Sequence, residues 1–222
     1  MKLSVIITAG GMGKRFSSEV PKQFLELEGT PILMHSINAF NRWNPNTEIV
    51  LTLPEEWFDY WKELIDKYNF RTPHSVVGGG KERYHSIKNA LSSCSGDLVM
   101  IHDGVRPLVD ENTLDRCLNA LQNNKAVVPY IKLKDSIRSL NGNKSRSVVR
   151  KNFVSVQTPQ CFEFNVINDA YQGEYQDFYT DDASVAEKNG IEIHLVEGNE
   201  ENIKITTTVD LKVAHLLIKK AE

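Results

Sequence analysis

Short apolar runs alternate along the chain with longer segments in which apolar residues recur at helical spacing. The runs are rich in β-branched residues and span residues 3–9, 48–53, 75–77, 97–102 and 126–130. The helical segments span residues 32–43, 55–68, 81–93, 111–123, 164–171, 181–189 and 210–220. This alternation predicts a Rossmann-like α/β fold, with a mostly parallel sheet and helices on both of its faces.

Residues 131–152 depart from this alternation. The segment reads IKLKDSIRSLNGNKSRSVVRKN, and the dipeptide Asn141-Gly142 separates two polar arms of alternating pattern. Such a pattern predicts a protruding β-hairpin with Asn141-Gly142 at its tip. Two strands alone are marginally stable in water, so we expect this arm to pack against another surface, such as a partner subunit.

Length and composition indicate an ordinary globular protein. At 222 residues the chain is long enough for one substantial core, and we expect a single domain over 1–222 with 131–152 as an arm. Hydrophobic residues make up 41% and charged residues 25%, a composition that favours a packed fold. The formal net charge of -3 provides no basic field for nucleic acid, and no nucleic-acid partner is expected.

The cysteines and the first residues indicate where the protein works. Cys94, Cys117 and Cys161 are odd in number, far apart and in no CxxC pair, which argues against a disulfide framework and a zinc site. The apolar run after Met1 is too short for a signal peptide or a membrane span. We therefore expect a cytoplasmic protein without a membrane partner.

The first predicted strand runs into a glycine-rich segment, GGMGKR at 10–15. Glycines allow backbone N–H groups to approach phosphates, and Lys14, Arg15 and Lys22 add positive charge nearby. The segment is not a Walker A loop, because Arg15 stands where Ser or Thr must follow Gly-Lys, and Phe16 breaks the dinucleotide fingerprint. It predicts a phosphate-binding loop, and the alternative is a plain strand-to-helix turn.

The sequence TAGGMGKRFSSEVPKQF at 8–24 resembles the opening of the 2-C-methyl-D-erythritol 4-phosphate cytidylyltransferase family of the non-mevalonate isoprenoid pathway. Five more blocks resemble the family in order, over nearly the whole chain: GGGKERYHSI at 78–87, HDGVRP at 102–107, QTPQ at 157–160, TDDASV at 180–185 and NIKIT at 202–206. The resemblance implies a nucleotide-diphospho-sugar transferase fold. It also implies transfer of the cytidylyl group of CTP to the polyol phosphate, with release of pyrophosphate.

The resemblance also implies roles for individual residues. Arg15 and Lys22 would be catalytic, stabilising the pentavalent state at the α-phosphorus of CTP. Nucleotide-binding positions would be Ala9, Gly10, Gly11, Gly13, Gly79, Gly80, Arg83, Ser86 and Asp103. Contacts to the polyol phosphate would come from Asp103, Arg106, Arg150, Thr158, Thr180 and Lys204. Family members often have Asp at the position of Lys81, and this departure argues against a ribose contact there.

A magnesium ion and a second subunit complete the implied site. Asp103 would face the reacting phosphates and a Mg²⁺ ion that arrives with CTP, so no preformed metal cage is predicted. The arm would join two chains into a homodimer. Arg150 would then reach the polyol phosphate of the partner subunit, since its guanidinium can bind two phosphate oxygens.

Each of these positions also has a purely structural interpretation. Thr180 precedes Asp181 and Asp182 and is expected to be a helix N-cap, with the two acids favoured by the helix dipole. The other structural alternatives are a solvated helix face for Arg83, a buried helix hydroxyl for Ser86, a helix cap for Asp103, a turn hydroxyl for Thr158, and solvated side chains for Arg150 and Lys204.

Three alternative functions remain open. Ribitol-5-phosphate cytidylyltransferases share the glycine-rich and P-K-Q blocks; TDDASV favours the erythritol enzyme, whereas Val105 favours the ribitol enzyme. Sugar-1-phosphate uridylyl- and thymidylyltransferases have a similar opening but longer chains. A non-catalytic nucleotide-binding domain would have little need for the cations Arg15 and Lys22 beside Asp103 and Arg106.

Overall fold

The computed structural model describes residues 1–10 and 20–219. Its α-helices within that part are α1 (Ile32–Trp43), α2 (Phe58–Lys67), α3 (Arg83–Leu91), α4 (Glu111–Leu121), α5 (Phe164–Ala170), α6 (Asp182–Lys188) and α7 (Thr208–Ile218). Its strands are β1 (Leu3–Thr8), β2 (Glu26–Leu27), β3 (Thr30–Pro31), β4 (Glu48–Leu53), β5 (Ser75–Gly78), β6 (Leu98–Asp103), β7 (Ala126–Lys132), β8 (Arg138–Asn141), β9 (Lys144–Ser147), β10 (Val154–Val156), β11 (Gln160–Glu163) and β12 (His194–Glu197).

The main sheet has the strand order β10-β7-β11-β6-β1-β4-β5, and β12 pairs with β7. Strands β6, β1, β4 and β5 are mutually parallel, whereas β11 runs antiparallel to both β6 and β7. The predicted α/β architecture is confirmed, and so are the five strands and seven helices, to within a few residues at their ends. Strands β10, β11 and β12 were not predicted from the sequence.

The core lies on both faces of the sheet, because alternate residues of the central strands point in opposite directions. In β1, Val5 and Ile7 belong to the apolar cluster that contains α1, α2 and α4, while Ile6 packs against α3 and α5 on the other face. All three side chains are fully buried. Burial of both faces explains the nearly continuous apolar runs of the sequence. None of the helices in the described ranges is long and apolar enough to span a membrane.

The arm forms a separate two-stranded sheet from β8 and β9. Its register pairs Asn141 with Lys144, so the turn residues are Gly142 and Asn143, and the predicted tip at Asn141-Gly142 is wrong by one residue. Gly142 has a φ of +55°, and this left-handed conformation places glycine at the first turn position. Leu140, beside the turn, is 77% exposed.

Candidate active site

A cavity of about 290 Å³ opens at the carboxyl ends of the parallel strands. The register of the sheet places Thr8, the last residue of β1, beside Asp103, the last residue of β6. Ligands of open α/β sheets bind at this edge. Eight of the residues selected from the sequence line the cavity: Ala9, Gly10, Lys22, Gly80, Arg83, Ser86, Asp103 and Lys204.

Lys22 begins a short 3-10 turn, Lys22–Phe24, whose next two residues anchor it to the fold. The buried Gln23 side chain donates a hydrogen bond from Nε2 to the carbonyl oxygen of Ala9, 2.7 Å away. The buried ring of Phe24 packs against the rings of Trp57, Tyr60 and Trp61. Two neighbouring anchors therefore hold the Lys22 backbone at the cavity wall.

Asp103 is the centre of the charge cluster in this cavity. Its carboxylate lies 3.1 Å from Nε of Arg106, 3.1 Å from Nζ of Lys204 and 3.8 Å from Nε of Arg83. Burial alone would raise the pKa of Asp103, but the charges of Arg83, Lys204 and Arg106 hold it below its usual range. Counting also the Asp182 carboxylate that pairs with Arg83, three cations face two carboxylates, and the excess positive charge suits an anionic ligand.

Arg83 is held by an acid that lies far away in the sequence. Its Nη1 and Nη2 atoms donate to the two carboxylate oxygens of Asp182, at 2.8 and 2.7 Å, and the Tyr171 hydroxyl donates to the same carboxylate at 2.6 Å. Asp182 is fully buried. The alternative of Arg83 as a solvated helix residue is therefore wrong, and its guanidinium is fixed in a bidentate pair.

The backbone amides of the glycine turn after β5 donate hydrogen bonds to other groups of the fold. Gly79 N–H donates to the Leu53 carbonyl oxygen and Gly80 N–H donates to the Ser86 hydroxyl, both at 2.9 Å. A Cβ atom at Gly80 would lie 2.3 Å from the Cβ of His85, so close packing requires glycine there. The Ser86 oxygen thus ties the start of α3 to the turn.

Comparison with known proteins places these features in a family. The sequence model of 2-C-methyl-D-erythritol 4-phosphate cytidylyltransferase, IspD, matches residues 3–220. The curated enzyme of that name from Bacteroides thetaiotaomicron is 45% identical over 219 residues, which cover 98% of this chain and 100% of that protein. The Phocaeicola vulgatus enzyme of the same name is 46% identical, with the same coverage. The chain belongs to the IspD family.

Solved structures of IspD proteins share the fold. The 4-diphosphocytidyl-2C-methyl-D-erythritol synthase from Anaerococcus prevotii superposes with a TM-score of 0.83 at 29% identity, covering 98% of this chain and 96% of that one. The cytidylyltransferase from Thermus thermophilus gives a TM-score of 0.78 at 29% identity, covering 99% and 100%. The IspD relationship therefore extends over the whole fold.

Two more positions selected by the IspD resemblance adjoin the charge cluster. Thr158 is buried, and its hydroxyl oxygen accepts the N–H of Asp103 at 3.1 Å. Arg106 donates from Nε to Asp103 and from Nη1 to the carbonyl oxygen of Asn202, at 3.1 and 2.8 Å. Both residues hold the Asp103 end of β6 against neighbouring segments.

The remaining selected positions lie elsewhere or outside the described residues. Thr180 is exposed and precedes α6. Arg150 lies at the base of the arm, where it lines a groove with Tyr130 and Phe153. Gly11, Gly13 and Arg15 lie outside the described residues.

The interpretation of the TDDASV block needs correction. The N-cap of α6 is Asp181, whose carboxylate accepts Ser184 N–H, so the expected cap at Thr180 is wrong. Asp182 serves Arg83 as its ion-pair partner. No local sequence signal distinguishes this role from a favourable interaction with the helix dipole. Gln23 was also missed, although its place in the P-K-Q block could have indicated it.

Proposed function

We propose that the chain transfers the cytidylyl group of CTP to 2-C-methyl-D-erythritol 4-phosphate, giving 4-diphosphocytidyl-2-C-methyl-D-erythritol and pyrophosphate. The observation that carries the proposal is the cavity at the strand ends, where Lys22 and Lys204 lie with the ion pair of Asp103 and Arg106. Membership of the IspD family supports the choice of substrates.

The reaction needs positioning and charge rather than a base. An oxygen of the acceptor phosphate attacks the α-phosphorus of CTP, and the bond from that phosphorus to the β-phosphate oxygen breaks as pyrophosphate leaves. The attacking phosphate is already ionised, so no proton has to be removed. Lys22 would stabilise the negative charge that develops on the transferring group, together with Arg15 as proposed from the sequence.

The acceptor phosphate would be held beside this centre. Arg106 and Lys204 supply positive charge within 3.1 Å of Asp103, and Thr180 and Thr158 belong to the same proposed subsite. A phosphate arriving here would compete with Asp103 for the Lys204 ammonium, which is 43% exposed and the more accessible of the two cations. The site is thus arranged to exchange a carboxylate contact for a phosphate contact.

The nucleotide would occupy the opposite wall, between Ala9-Gly10 and the turn at Gly79-Gly80, with Arg83 alongside; Gly11 and Gly13 extend this set from the sequence. Because both turn amides bond within the fold, base recognition is assigned to the carbonyl oxygens of the turn, and the Ser86 hydroxyl, which accepts Gly80 N–H and donates to the Glu82 carbonyl oxygen, would hold the turn in place for the nucleotide. Carbonyl oxygens accept the amino group of cytosine and meet an acceptor in uracil. This arrangement favours CTP over UTP.

A divalent ion, Mg²⁺, would accompany the CTP phosphates. No group of three or more His, Cys, Asp or Glu residues in the described ranges could hold a metal ion. The carboxylate of Asp103 is a hard oxygen donor at the strand end, and one such donor fits an ion that keeps phosphate and water ligands. When bound, the ion would neutralise phosphate charge. The chain itself supplies the fixed cations around it.

Pyrophosphate release from purified protein tests the reaction. With 2-C-methyl-D-erythritol 4-phosphate present, we expect kcat/KM for CTP to exceed that for UTP or ATP by more than about tenfold, because buried polar groups reject an unmatched base. With CTP fixed, the erythritol phosphate should be preferred to D-ribitol 5-phosphate, the acceptor that Val105 favours. Preference for ribitol phosphate, or equal use of CTP and ATP, would contradict the proposal.

We also propose that the 222 residues form a single catalytic domain. Two such chains would form a homodimer that is joined through the arm. The arm carries seven Lys or Arg side chains and one Asp, whereas the rest of the chain carries 19 basic and 28 acidic side chains. Around the base of the arm, Val149, Phe153 and Leu195 are 43 to 57% exposed. A basic arm with an apolar base suits the acidic body of a second copy.

Complementation tests whether Arg150 acts across the dimer. Lys22→Ala chains are refolded together with Arg150→Ala chains, and activity is compared with that of each parent. If Arg150 serves the partner's site, the mixed dimer has one site with both residues intact, and activity reappears well above both parents. If Arg150 serves its own chain, every mixed site is damaged and no activity returns. Differently tagged chains and tandem purification establish that mixed dimers have formed.

A cytoplasmic location is proposed on the chemistry of the thiols. Cys94, Cys117 and Cys161 are all free, and the buried Cys117 and Cys161 lie close enough for their side chains to hydrogen-bond. Three cysteines with no CxxC pair argue against a disulfide framework, which fits a reducing compartment.

A further inference from the structure

His102 is a buried imidazole with both ring nitrogens bonded. It precedes Asp103 in β6 and has no exposed surface. Its Nε2 lies 2.9 Å from the carbonyl oxygen of Arg106, and its Nδ1 lies 3.1 Å from the hydroxyl oxygen of Thr158. The ring also meets Phe40 edge to face, with centroids 4.9 Å apart. Its position and orientation are therefore fixed on several sides.

The direction of these hydrogen bonds follows from their partners. A carbonyl oxygen only accepts, so Nε2 carries the proton and donates to Arg106. Full burial disfavours a charged imidazolium, so with the proton on Nε2 the ring is neutral and Nδ1 is an acceptor. The Thr158 hydroxyl must then donate to Nδ1, while its oxygen accepts the N–H of Asp103.

The result is a continuous set of bonds around the turn at 103–106. It runs from Asp103 N–H to the Thr158 hydroxyl, from that hydroxyl to His102, and from His102 to the Arg106 carbonyl. Both ends of the turn are thereby tied to side chains outside it. The proton of the Thr158 hydroxyl is committed to His102, so Thr158 contributes to the proposed acceptor subsite by holding this turn and not by donating to the phosphate.

We propose that His102 and Thr158 are positioning residues, which fix the turn that presents Asp103 and Arg106 to the substrates. The inference rests on the proposed function and extends it to two groups that act through the backbone. The side chains of Asp103 and Arg106 already pair with each other at 3.1 Å. A shift of their backbone by a fraction of an ångström would misalign both at once.

Isosteric variants test the proposal by activity. Thr158→Val removes the hydroxyl and leaves two buried polar groups unpaired; we expect kcat/KM to fall by about 10- to 100-fold. Thr158→Ser retains the hydroxyl and should recover most of that loss. His102→Leu should lower kcat/KM similarly, and the double variant should lose no more than the worse single one, because both act through one set of bonds.

Thr52→Val is the matched control. Thr52 is fully buried in β4 of the same sheet, and its hydroxyl has no hydrogen-bond partner within the described residues, so we expect little change in activity. Near-wild-type kcat/KM in folded Thr158→Val would overturn the proposal. Additive losses in the double variant would also overturn it, since they would show Thr158 acting on substrate independently of His102.

Nuclear magnetic resonance gives a readout that needs no turnover. We expect the His102 ring in the Nε2–H form, and a fall of at least about tenfold in the exchange protection of the Asp103 amide in Thr158→Val but not in Thr158→Ser. An Nδ1–H form of the His102 ring, or unchanged protection of the Asp103 amide in Thr158→Val, would contradict the positioning role even if the enzyme is active. If the wild-type protein failed to release pyrophosphate, the proposed reaction would be wrong. The same spectra would still test whether His102 and Thr158 hold the turn at 103–106.

Discussion

Replacing Lys22 with alanine is expected to lower kcat by about 10²- to 10³-fold, the usual cost of removing one preorganised group that stabilises transition-state charge. Lys22 lines the cavity, and its backbone is anchored by the side chains of the next two residues, Gln23 and Phe24. The substitution leaves both anchors in place, so the fold should persist. Steady-state pyrophosphate release and a thermal unfolding curve measure the two effects separately.

Lys212→Ala is the control, because this exposed lysine of α7 lies outside the cavity. It should retain wild-type activity. Lys22→Ala turning over at the wild-type rate would remove Lys22 from the catalytic centre. Arg15→Ala is expected to show a loss like that of Lys22→Ala, a prediction that comes from the sequence alone.

Asp182→Ala should destabilise the protein by about 3 kcal/mol. The substitution leaves the Arg83 guanidinium without its bidentate partner and the buried Tyr171 hydroxyl without its acceptor. The expected loss stays at the lower end for broken buried pairs, because the Arg83 side chain is 32% exposed and keeps some hydration. Urea unfolding followed by circular dichroism measures the free energy of unfolding.

Two further variants identify the cause of that loss. Asp59→Ala removes a carboxylate whose side chain is 93% exposed, and we expect less than about 0.5 kcal/mol. Arg83→Met combined with Asp182→Leu removes both charges and should recover much of the stability while activity stays low. Equal stability of Asp182→Ala and wild type would show that the ion pair contributes little to the fold.

The central fold could be predicted because its signals are local. Strands β1, β4 and β6 are buried on both faces and read as continuous apolar runs. Strand β11 has no such run: Gln160 is buried there because its side-chain amide binds Asp181 and the N–H of Ala183. Those partners lie 21 and 23 residues away, beyond the reach of periodicity.

The residues of the candidate site also differ in whether local sequence or a distant partner determines their role. Ala9 and Asp103 were selected through the family resemblance, and both stand at the ends of predicted strands, where a topological rule that needs no distant partner also places ligands. The roles of Asp182 and His102 depend on Arg83 and Thr158, which are 99 and 56 residues away. A local pattern favoured the helix dipole for Asp182, and only the folded chain reveals the ion pair.

Because β11 runs antiparallel to β6, its first residues lie at the edge of the sheet that carries the candidate active site. Its register pairs Gln160 with Ile101, and continuing it sets Thr158 opposite Asp103. A parallel strand in this place would present its last residues to the cavity and carry its first ones about 10 Å or more away. One antiparallel strand thus brings its amino-terminal end among the carboxyl-terminal ends of the parallel strands, so the residues that enter β11 reach Asp103 without any added loop.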